Sequence, residues 1–210
     1  NNSKDNSLAL AEKYKFQAPN IDKKFIANNK NIGFAAGNNL GVKKIDPQTN
    51  YVLFLNPDTV VKPNVFEKTI EFLNNHPKAG AATCKLMLAN GKLDKASHRG
   101  FPTPWRAFTH FSGLENLFPN SKLFGGYLLS HKLNFNKPHQ IDACSGAFLM
   151  IKKELGEKLN WWDEDYFWYG EDIDFCYRIH QAGYQLWFLP KIDIIHYKGI
   201  SSGVKKHSQK

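Results

Sequence analysis

The sequence has few cysteines and lacks any long apolar run. Three cysteines occur in 210 residues, at Cys84, Cys144 and Cys176, and no two of them form a CxxC pair. Neither a zinc site nor a disulfide framework is therefore expected. Because isolated thiols persist in a reducing compartment, we expect the protein in the cytoplasm. No stretch approaches the ~18 consecutive apolar residues that a membrane-spanning helix requires.

Acidic residues are also scarce. The 19 Asp and Glu residues are outnumbered by 28 Lys and Arg residues, which gives a net charge of +9. Such a charge favours anionic partners, namely nucleic acid, an anionic membrane surface or phosphorylated small molecules. A basic charge without a specific partner is an equally common alternative. The basic residues occur in isolated pairs and form no Arg-rich stripe, which argues against nucleic acid as a partner.

Short apolar runs alternate with segments of helical periodicity. Residues 51–55 form a continuous β-branched and aromatic run, typical of a strand that is buried on both faces of a parallel sheet. The patterns predict strands at 24–27, 51–55, 79–88, 141–151, 184–189 and 192–196, and helices at 63–75, 152–159 and 171–182. This alternation indicates an α/β fold with a mainly parallel sheet flanked by helices. Residues 89–139, with four prolines, are predicted to form a long irregular excursion.

One carboxylate directly follows the most apolar strand. Asp58 stands in the sequence Asn56-Pro57-Asp58-Thr59, just after residues 51–55, and ligands of open α/β sheets bind outside the carboxyl ends of strands. A carboxylate at this position can hold a divalent cation that grips a diphosphate. The alternative is a turn residue that caps the next helix, and position alone favours that alternative.

Small residues are concentrated at 31–41, where a loop is expected to enter a helix that runs to about residue 45. Glycines such as Gly37 allow close approach of a ligand to the backbone, and a helix N-terminus favours phosphate. The stretch is neither a GxGxxG motif nor a P-loop. A tight turn into a helix that packs closely on the sheet is an equally good interpretation.

Aromatic and acidic residues are concentrated at 161–178. Six of the nine residues from Trp161 to Tyr169 are aromatic. Aromatic rings beside carboxylates are typical of a sugar-binding surface, because a pyranose face packs on a ring while its hydroxyls bond to carboxylates. Packing of the aromatic residues in the core is the alternative.

Two acids of this segment differ in whether they have an obvious ion-pair partner on their own helix. Asp174 has an ion-pair partner four residues along its own helix, Arg178, whereas Asp172 has no obvious partner there. Acids in a first helical turn also interact favourably with the helix dipole, which is a purely structural explanation. A free carboxylate beside an aromatic cluster is a candidate general base, which favours Asp172.

The last predicted strand ends at His196, before a Gly/Ser loop at 199–203. Such a loop can fold over a diphosphate, with His196 on the metal and Lys205 and Lys206 on the phosphates. A lone histidine is more often structural or merely exposed. Alternatively, the two lysines belong to a solvated basic tail.

Taken in order, these motifs resemble the family-2 glycosyltransferases of the GT-A fold, and especially the rhamnosyltransferase-like branch that builds bacterial surface polysaccharides. Residues 2–7 resemble the end of the family's first nucleotide motif, and residues 31–41 resemble its N-x-G-F-A-x-G-N-N-x-G block. The family's metal-binding DxD falls on residues 56–58. Residues 144–147 resemble its acceptor-side strand, and residues 163–178 resemble its F-D-E-x-F…E-D-x-D-L-x-x-R block.

The resemblance implies roles for individual residues. Asp172, the second acid of the E-D pair, would be the catalytic base of an inverting transfer, and Asp58 and His196 would hold Mg²⁺ or Mn²⁺. The donor-binding residues would be Asn2, Ser3, Gly37, Asn38, Asn56 and Asp58. The acceptor-binding residues would be Gly146, Trp168, Tyr169 and Glu171.

The sequence departs from the family pattern in two places. Asn56 replaces the first acid of the DxD, which leaves Asp58 as the single carboxylate of that motif. The strand and helix with which the family opens, ~40 residues by the usual lengths of βαβ units, are missing before Asn1, so we expect an N-terminally truncated fragment. A single domain is expected over residues 1–204, followed by a basic tail over residues 205–210.

The function implied by the resemblance is transfer of a sugar from a nucleotide-diphosphate donor, with dTDP-rhamnose as the first candidate. The acceptor would be a glycan or a lipid-linked glycan of bacterial cell-wall polysaccharide synthesis. Peripheral contact with an anionic membrane, at its inner face, is compatible with this function. Two alternatives stay open: a sugar-nucleotide pyrophosphorylase, which shares the sheet topology, and a carbohydrate- or anion-binding module without catalysis.

Overall fold

A computed structural model describes residues 6–13, 21–133 and 136–198, in which six strands form one sheet. The helices are α1 (Ser7–Lys13), α2 (Gly33–Val42), α3 (Val65–Asn75), α4 (Pro104–Phe111), α5 (Leu114–Leu117), α6 (Lys153–Lys158) and α7 (Glu171–Gln181). The strands are β1 (Tyr51–Leu55), β2 (Thr59–Val61), β3 (Ala79–Leu88), β4 (His139–Ile141), β5 (Phe148–Lys152) and β6 (Gln185–His196). Two 3₁₀ turns, Lys95–Ser97 and Ser130–Lys132, lie between β3 and β4.

The sheet is mixed, in contrast to the mainly parallel sheet that the sequence predicts. Its strand order is β1-β5-β3-β6-β2, and β4 pairs with β6 off this path. Among the described strands, β3 and β6 are parallel, whereas every other pairing is antiparallel. The predicted strand 141–151 is divided in two, and its second half, β5, lies antiparallel between β1 and β3. The alternation of strands with helices in the sequence does not indicate that the direction of β5 is reversed relative to β1 and β3.

The two short strands predicted at 184–189 and 192–196 are one strand, β6. Its register against β3 shifts between Cys84 and Lys85, which pair with Leu189 and Asp193. Pro190 lies within the shifted segment, where the missing N–H of proline costs no ladder hydrogen bond. The bulge therefore lets one strand continue through a proline and carry His196 to the far end of the sheet.

Two further predictions differ from the structure. Residues 24–27 adopt no regular secondary structure. The excursion expected to be irregular contains α4 and α5. Helix α4 has the usual start signals, because the Thr103 hydroxyl accepts a hydrogen bond from the Arg106 N–H and Pro104 occupies the first turn.

Aromatic rings fill one side of the sheet. Trp162 is buried at the centre of this cluster, with ring centroids 4.8 Å from Phe54, 4.6 Å from Phe175 and 5.3 Å from Phe34. Helices α2, α6 and α7 contribute to this core, while α3 covers the opposite face of the sheet. Part of the aromatic stretch at 161–169 is therefore core, as the structural alternative proposed.

Gly33 opens α2 at a position that excludes other residues. Its φ is +86°, and an added Cβ would lie 2.7 Å from the carbonyl oxygen of Phe167. Both the left-handed backbone and the close approach require glycine. The first turn of α2 is thus packed directly against the segment that leads into α7.

The buried His98 pairs with the partly buried His139 beside the excursion. His98 Nε2 lies 2.7 Å from His139 Nε2, and His98 Nδ1 lies 3.0 Å from the carbonyl oxygen of Leu128. Burial disfavours the charged imidazole and lowers the pKa of His98 to about 4. His98 therefore stays neutral in the folded protein through the range in which an unfolded chain protonates it.

This pair makes stability depend on pH. Because the unfolded chain takes up a proton near pH 6.5 and folded His98 does so only near pH 4, stability falls as the pH is lowered through that window. The cost between pH 7.5 and pH 5 is about 2 kcal/mol. Urea unfolding at both pH values should show this loss in the unmodified chain and a smaller loss in His98→Asn. An equal loss in both proteins would contradict the assignment.

Candidate active site

The structure brings Asp58 and His196 together. β2 runs antiparallel to the end of β6 with Thr59 opposite His196, and the Tyr197 N–H donates to the Asp58 carbonyl oxygen over 2.8 Å. These backbone contacts place Asp58 Oδ1 3.4 Å from His196 Nε2. Both side chains are almost fully buried, with 6% and 5% of their surfaces exposed.

Asp94 holds the other side of the His196 ring and was not predicted from the sequence. Its Oδ2 lies 3.1 Å from His196 Nδ1, and its Oδ1 accepts a hydrogen bond from Lys198 Nζ over 3.0 Å. Burial would raise the pKa of Asp94, but the hydrogen bonds from His196 and Lys198 and the charge of Lys198 outweigh it and lower the pKa to about 2. Asp94 is therefore an ionised carboxylate that can only accept.

These contacts fix the tautomer of His196. Since ionised Asp94 accepts, His196 Nδ1 is the donor to it, and a neutral His196 presents the lone pair of Nε2 toward Asp58 Oδ1. Two acceptor atoms that face each other at 3.4 Å are satisfied by a cation or a proton between them. A carboxylate oxygen and an imidazole nitrogen, with a second carboxylate behind the imidazole, are a donor set that suits Mn²⁺ and is also compatible with Mg²⁺.

The protein would supply only part of such a coordination sphere. Within residues 6–13, 21–133 and 136–198, no three or more His, Cys, Asp or Glu side chains are arranged so that all of them could bind one metal ion. Magnesium and manganese sites that bind a diphosphate commonly use one or two protein ligands and take the rest from water and phosphate oxygens. The pair Asp58 and His196 fits that pattern.

Asp172 has a partner elsewhere in the chain, which corrects its description as a free carboxylate. Arg99 Nη2 donates to Asp172 Oδ2 over 2.7 Å, with both side chains mostly buried. The sequence argument considered only Asp172's own helix, whereas Arg99 lies in the excursion after β3 and is bridged to Ala143. Burial opposes the charge of Arg99, but Asp172 more than compensates and raises the pKa of the guanidinium. The two groups form a charged pair.

The Asp174–Arg178 ion pair predicted at i,i+4 is confirmed. Asp174 Oδ2 lies 2.8 Å from both Arg178 Nε and Arg178 Nη2. Arg178 Nη1 also donates to the carbonyl oxygens of Leu159 and Trp161. Asp174 therefore belongs to a structural network that fastens α7 to the preceding loop.

Two buried polar atoms lie next to the Asp172–Arg99 pair. Arg99 Nε and Glu171 Oε2 have no hydrogen-bond partner among the described residues. Burial raises the pKa of Glu171, and the charge of Asp172 raises it further. An unsatisfied donor and an unsatisfied acceptor are each suited to a ligand hydroxyl, which can both accept and donate a hydrogen bond.

The predicted acceptor residues differ in exposure. Trp168 and Tyr169 are exposed, at 50% and 80%, and their rings meet edge to face. Gly146 is buried, and an added Cβ there would lie 2.9 Å from the Phe34 ring. The structure thus gives Gly146 a packing role, while contact of any of these residues with an acceptor stays a prediction.

The predicted donor residues lie on several elements. Gly37 and Asn38 are inside α2, where the Asn38 amide donates to the Phe34 carbonyl oxygen. Asn56 directly follows β1, and its carbonyl oxygen accepts a hydrogen bond from the Thr59 hydroxyl. Other predictions lie outside the described residues: Asn2, Ser3, the loop 199–203 and the basic tail 205–210.

Asn39 is a site-shaping residue that the sequence argument missed. Its buried amide donates to the Trp162 carbonyl oxygen and to Glu164 Oε1, and its Oδ1 accepts from the Trp162 N–H. The pattern N-N in the block at 31–41 was the available signal. Through Asn39, α2 fixes the path of the aromatic and acidic segment.

A surface cleft of about 860 Å³ lies apart from these groups. Its lining includes Asn39, Trp161 and Arg178 but none of Asp58, Asp172 or His196. This cleft therefore contains neither the predicted catalytic base nor the predicted metal ligands.

Comparison with known proteins gives the same assignment as the motifs. Residues 1–159 match the family described as glycosyl transferase family 2. The rhamnosyltransferase WbbL of Escherichia coli is 27% identical over 79% of this chain and 61% of its own length. An N-acetylglucosaminyl-diphospho-decaprenol L-rhamnosyltransferase of Mycobacterium tuberculosis is 25% identical over 73% of this chain and 49% of its own length. The chain belongs to glycosyl transferase family 2.

A solved structure supports the fold. The structure described as GalNAc-T7 with UDP, GalNAc and Mn²⁺ superposes with a TM-score of 0.55, at 15% identity, over 80% of this chain and 31% of that one. The predicted GT-A fold is confirmed at this level, with a mixed sheet. The chain spans about half to three-fifths of the length of the two rhamnosyltransferases. Among the described residues, no helix has the length and apolar character needed to cross a membrane.

Proposed function

We propose that this chain is the catalytic part of an inverting glycosyltransferase that uses a nucleotide-diphosphate sugar. The observation that carries the proposal is the convergence of Asp58, Asp94 and His196 from three distant parts of a family-2 chain. Such a carboxylate–imidazole pair is a site for the cation that accompanies a diphosphate. We further propose that residues 1–204 act as one domain and that residues 205–210 are a basic tail.

Asp172 is the catalytic base of this proposal. Arg99 occupies its Oδ2, which leaves Oδ1 to take the proton of an acceptor hydroxyl as that oxygen bonds to the anomeric carbon of the donor. The bond from that carbon to the diphosphate breaks in the same displacement. Arg99 orients the carboxylate, and Glu171 and Arg99 Nε are suited to hold the hydroxyl beforehand.

Asp58 and His196 would hold the divalent cation. When bound, Mg²⁺ or Mn²⁺ supplies Lewis-acid stabilisation of the charge on the departing diphosphate. Asp94 orients His196 so that its Nε2 lone pair points to that position. The solved structure of GalNAc-T7 is described with UDP and Mn²⁺, which supports the same ligand class here.

The relatives suggest the identity of the donor and acceptor. Two of them are named as rhamnosyltransferases, and one of these acts on a decaprenol-linked substrate by its name. We therefore place dTDP-rhamnose first among donors and a glycan or lipid-linked glycan as acceptor. Gly37, Asn38, Asn56 and Asp58 serve the donor, and Trp168, Tyr169 and Glu171 serve the acceptor. Three free, buried thiols support a cytoplasmic location, at the membrane side where lipid-linked acceptors are available.

Thermal stabilisation by nucleotide sugars tests the proposal. A donor at ~100 times its Kd adds about 2.7 kcal/mol of stability, so a panel of nucleotide sugars with Mn²⁺ should raise the melting temperature for one donor class. Chelation of the metal should remove the increase. Turnover of the stabilising donor in the presence of acceptor then separates an enzyme from a binding module. A panel in which no nucleotide sugar stabilises the protein would refute the proposal.

Family membership also bears on one of the two alternatives left open by the sequence. The match to family 2 argues against a sugar-nucleotide pyrophosphorylase, although the topology of the sheet did not. Catalysis, as opposed to binding alone, is decided by the turnover measurement.

A further inference from the structure

The excursion after β3 exposes a continuous apolar surface on α4, on α5 and on the loop after them. We call it the aromatic face, and it consists of Trp105, Phe108, Phe111, Leu117, Phe118 and Leu123, all of which are exposed. Phe111 is 87% exposed and Leu117 is 71% exposed. This surface is distinct from the exposed aromatic residues at 166–169.

Contacts join Trp105, Phe108, Phe118 and Leu123, and Phe111 lies three residues after Phe108 on α4. The ring centroids of Trp105 and Phe108 are 5.6 Å apart, and Trp105 Nε1 donates to the Leu123 carbonyl oxygen over 2.9 Å. Phe124 links Trp105 to Phe118, with centroid separations of 6.2 Å and 5.3 Å. Exposed apolar patches of this kind mark interaction sites.

The chain segment that carries the aromatic face is basic and has few acids. Between Asp94 and Asp142 the sequence has six Lys or Arg residues and a single acid, Glu115. The Glu115 side chain is 1% exposed, because it binds His110 Nδ1 and the Leu128 N–H. Asp142, at the end of this segment, is paired with Arg106. Because Arg99 and Arg106 are paired with acids, the four lysines of the segment give it its positive charge, and Lys122 directly precedes Leu123 of the aromatic face.

We propose that the aromatic face docks on an anionic phospholipid bilayer. Trp and Phe on one side of a helix, with basic residues around them, are the composition of segments that lie in the membrane interface. An anionic bilayer provides both apolar depth and negative surface charge. A second copy of the chain would instead oppose two positive surfaces, which electrostatic complementarity disfavours.

Docking through the aromatic face would bring Asp172 toward the membrane surface, because the excursion that carries this face also contacts α7. The excursion is packed on α7, since the Phe101 ring lies 5.6 Å from Tyr177 and 5.4 Å from His180. The same excursion supplies Arg99, which binds Asp172. The inference thus deepens the proposed function and rests on it for one point, that the acceptor is lipid-linked.

Vesicle sedimentation of the full chain tests the docking surface without any sugar. We expect binding to vesicles that contain phosphatidylglycerol and much weaker binding to phosphatidylcholine alone. The double substitution Phe108→Ser/Phe111→Ser should weaken binding at least about tenfold, given the free energy of burying even part of two phenylalanines. Lys122→Gln should weaken binding about fivefold, and only on anionic vesicles at low salt.

Phe66→Ser is the matched control, because Phe66 is an exposed phenylalanine on α3. It should leave vesicle binding unchanged. If the double variant is unstable, Phe111→Ser alone gives the answer, since Phe111 is almost fully exposed. The proposal would be overturned if the variants bound vesicles as well as the unmodified chain, or if the unmodified chain did not bind anionic vesicles. It would also be overturned if sedimentation equilibrium showed a dimer that the double substitution abolishes.

Transfer assays separate this inference from the proposed function. The double variant should lose transfer to an acceptor embedded in vesicles and keep transfer to a water-soluble analogue of that acceptor. Equal transfer to both acceptors by the double variant would overturn the orientation. Vesicle binding without any transfer activity would leave the docking surface in place and refute the enzymatic function.

Discussion

Asp172→Asn is expected to lower the rate of sugar transfer by about 10²- to 10⁴-fold, the usual scale of general-base catalysis. The amide keeps the shape of the side chain, and its oxygen can still accept the hydrogen bond from Arg99 Nη2 that the carboxylate accepts over 2.7 Å. What is lost is the capacity to take a proton. Because a base need not grip the donor, donor affinity should stay within a few-fold. Steady-state kinetics and donor-binding calorimetry measure the two quantities.

Asp174→Asn is the control for Asp172→Asn, since it removes a carboxylate from the same helix two residues away. Asp174 holds Arg178, which also binds two backbone carbonyls. Its substitution should lower the melting temperature and leave kcat of the folded enzyme within a few-fold. Near-normal turnover of Asp172→Asn would remove Asp172 from the mechanism and direct attention to Glu171 or Asp165.

Asp58→Ala is expected to abolish the contribution of metal to donor binding. Loss of one of two protein ligands should weaken metal affinity by more than the 10- to 100-fold typical of a second-shell change. Asp94→Asn makes that smaller change, because Asp94 orients the His196 ring without facing Asp58. The expected order of Mn²⁺ affinities is therefore unmodified chain, Asp94→Asn, Asp58→Ala, measured by titration of metal in the presence of nucleotide diphosphate.

Asp193→Asn is the matched control for the metal prediction. Asp193 is a carboxylate on β6, the strand that carries His196, and it pairs with Lys62. Its substitution should leave Mn²⁺ affinity unchanged. If chelation of the metal does not reduce the donor affinity of the unmodified chain, Asp58 and His196 have a different role.

Local patterns were enough to predict several elements of the fold. The apolar run at 51–55 is β1, the helical spacing after Pro63 is α3, and the acidic segment before Gly183 is α7. Strand pairing was not predictable in the same way, because a strand buried on both faces has the same composition in parallel and antiparallel sheets. The reversal at β5 depends on the turn at 142–147, whose geometry tertiary contacts decide.

In the candidate site, too, the sequence predicted the local features and missed the contacts between distant residues. Asp58, Asp172 and His196 were named from motifs, each of which is a local pattern. Arg99 and Asp94 were missed because each acts on a residue far away in the chain, across 73 and 102 positions. Charged residues in an excursion rich in proline carry no local signal of such a partner. From the sequence alone, Arg99 and Asp94 would both be expected to be exposed surface charges.

The late position of β6 has a consequence for how the protein is made. β6 is the last described strand, and it pairs with β2, β3 and β4. Asp58 and Asp94 emerge from the ribosome long before His196, so an incomplete nascent chain contains no imidazole at that position. Pairings between segments so distant in sequence form slowly. The proposed metal site therefore cannot form until β6 has been synthesised and has joined the sheet.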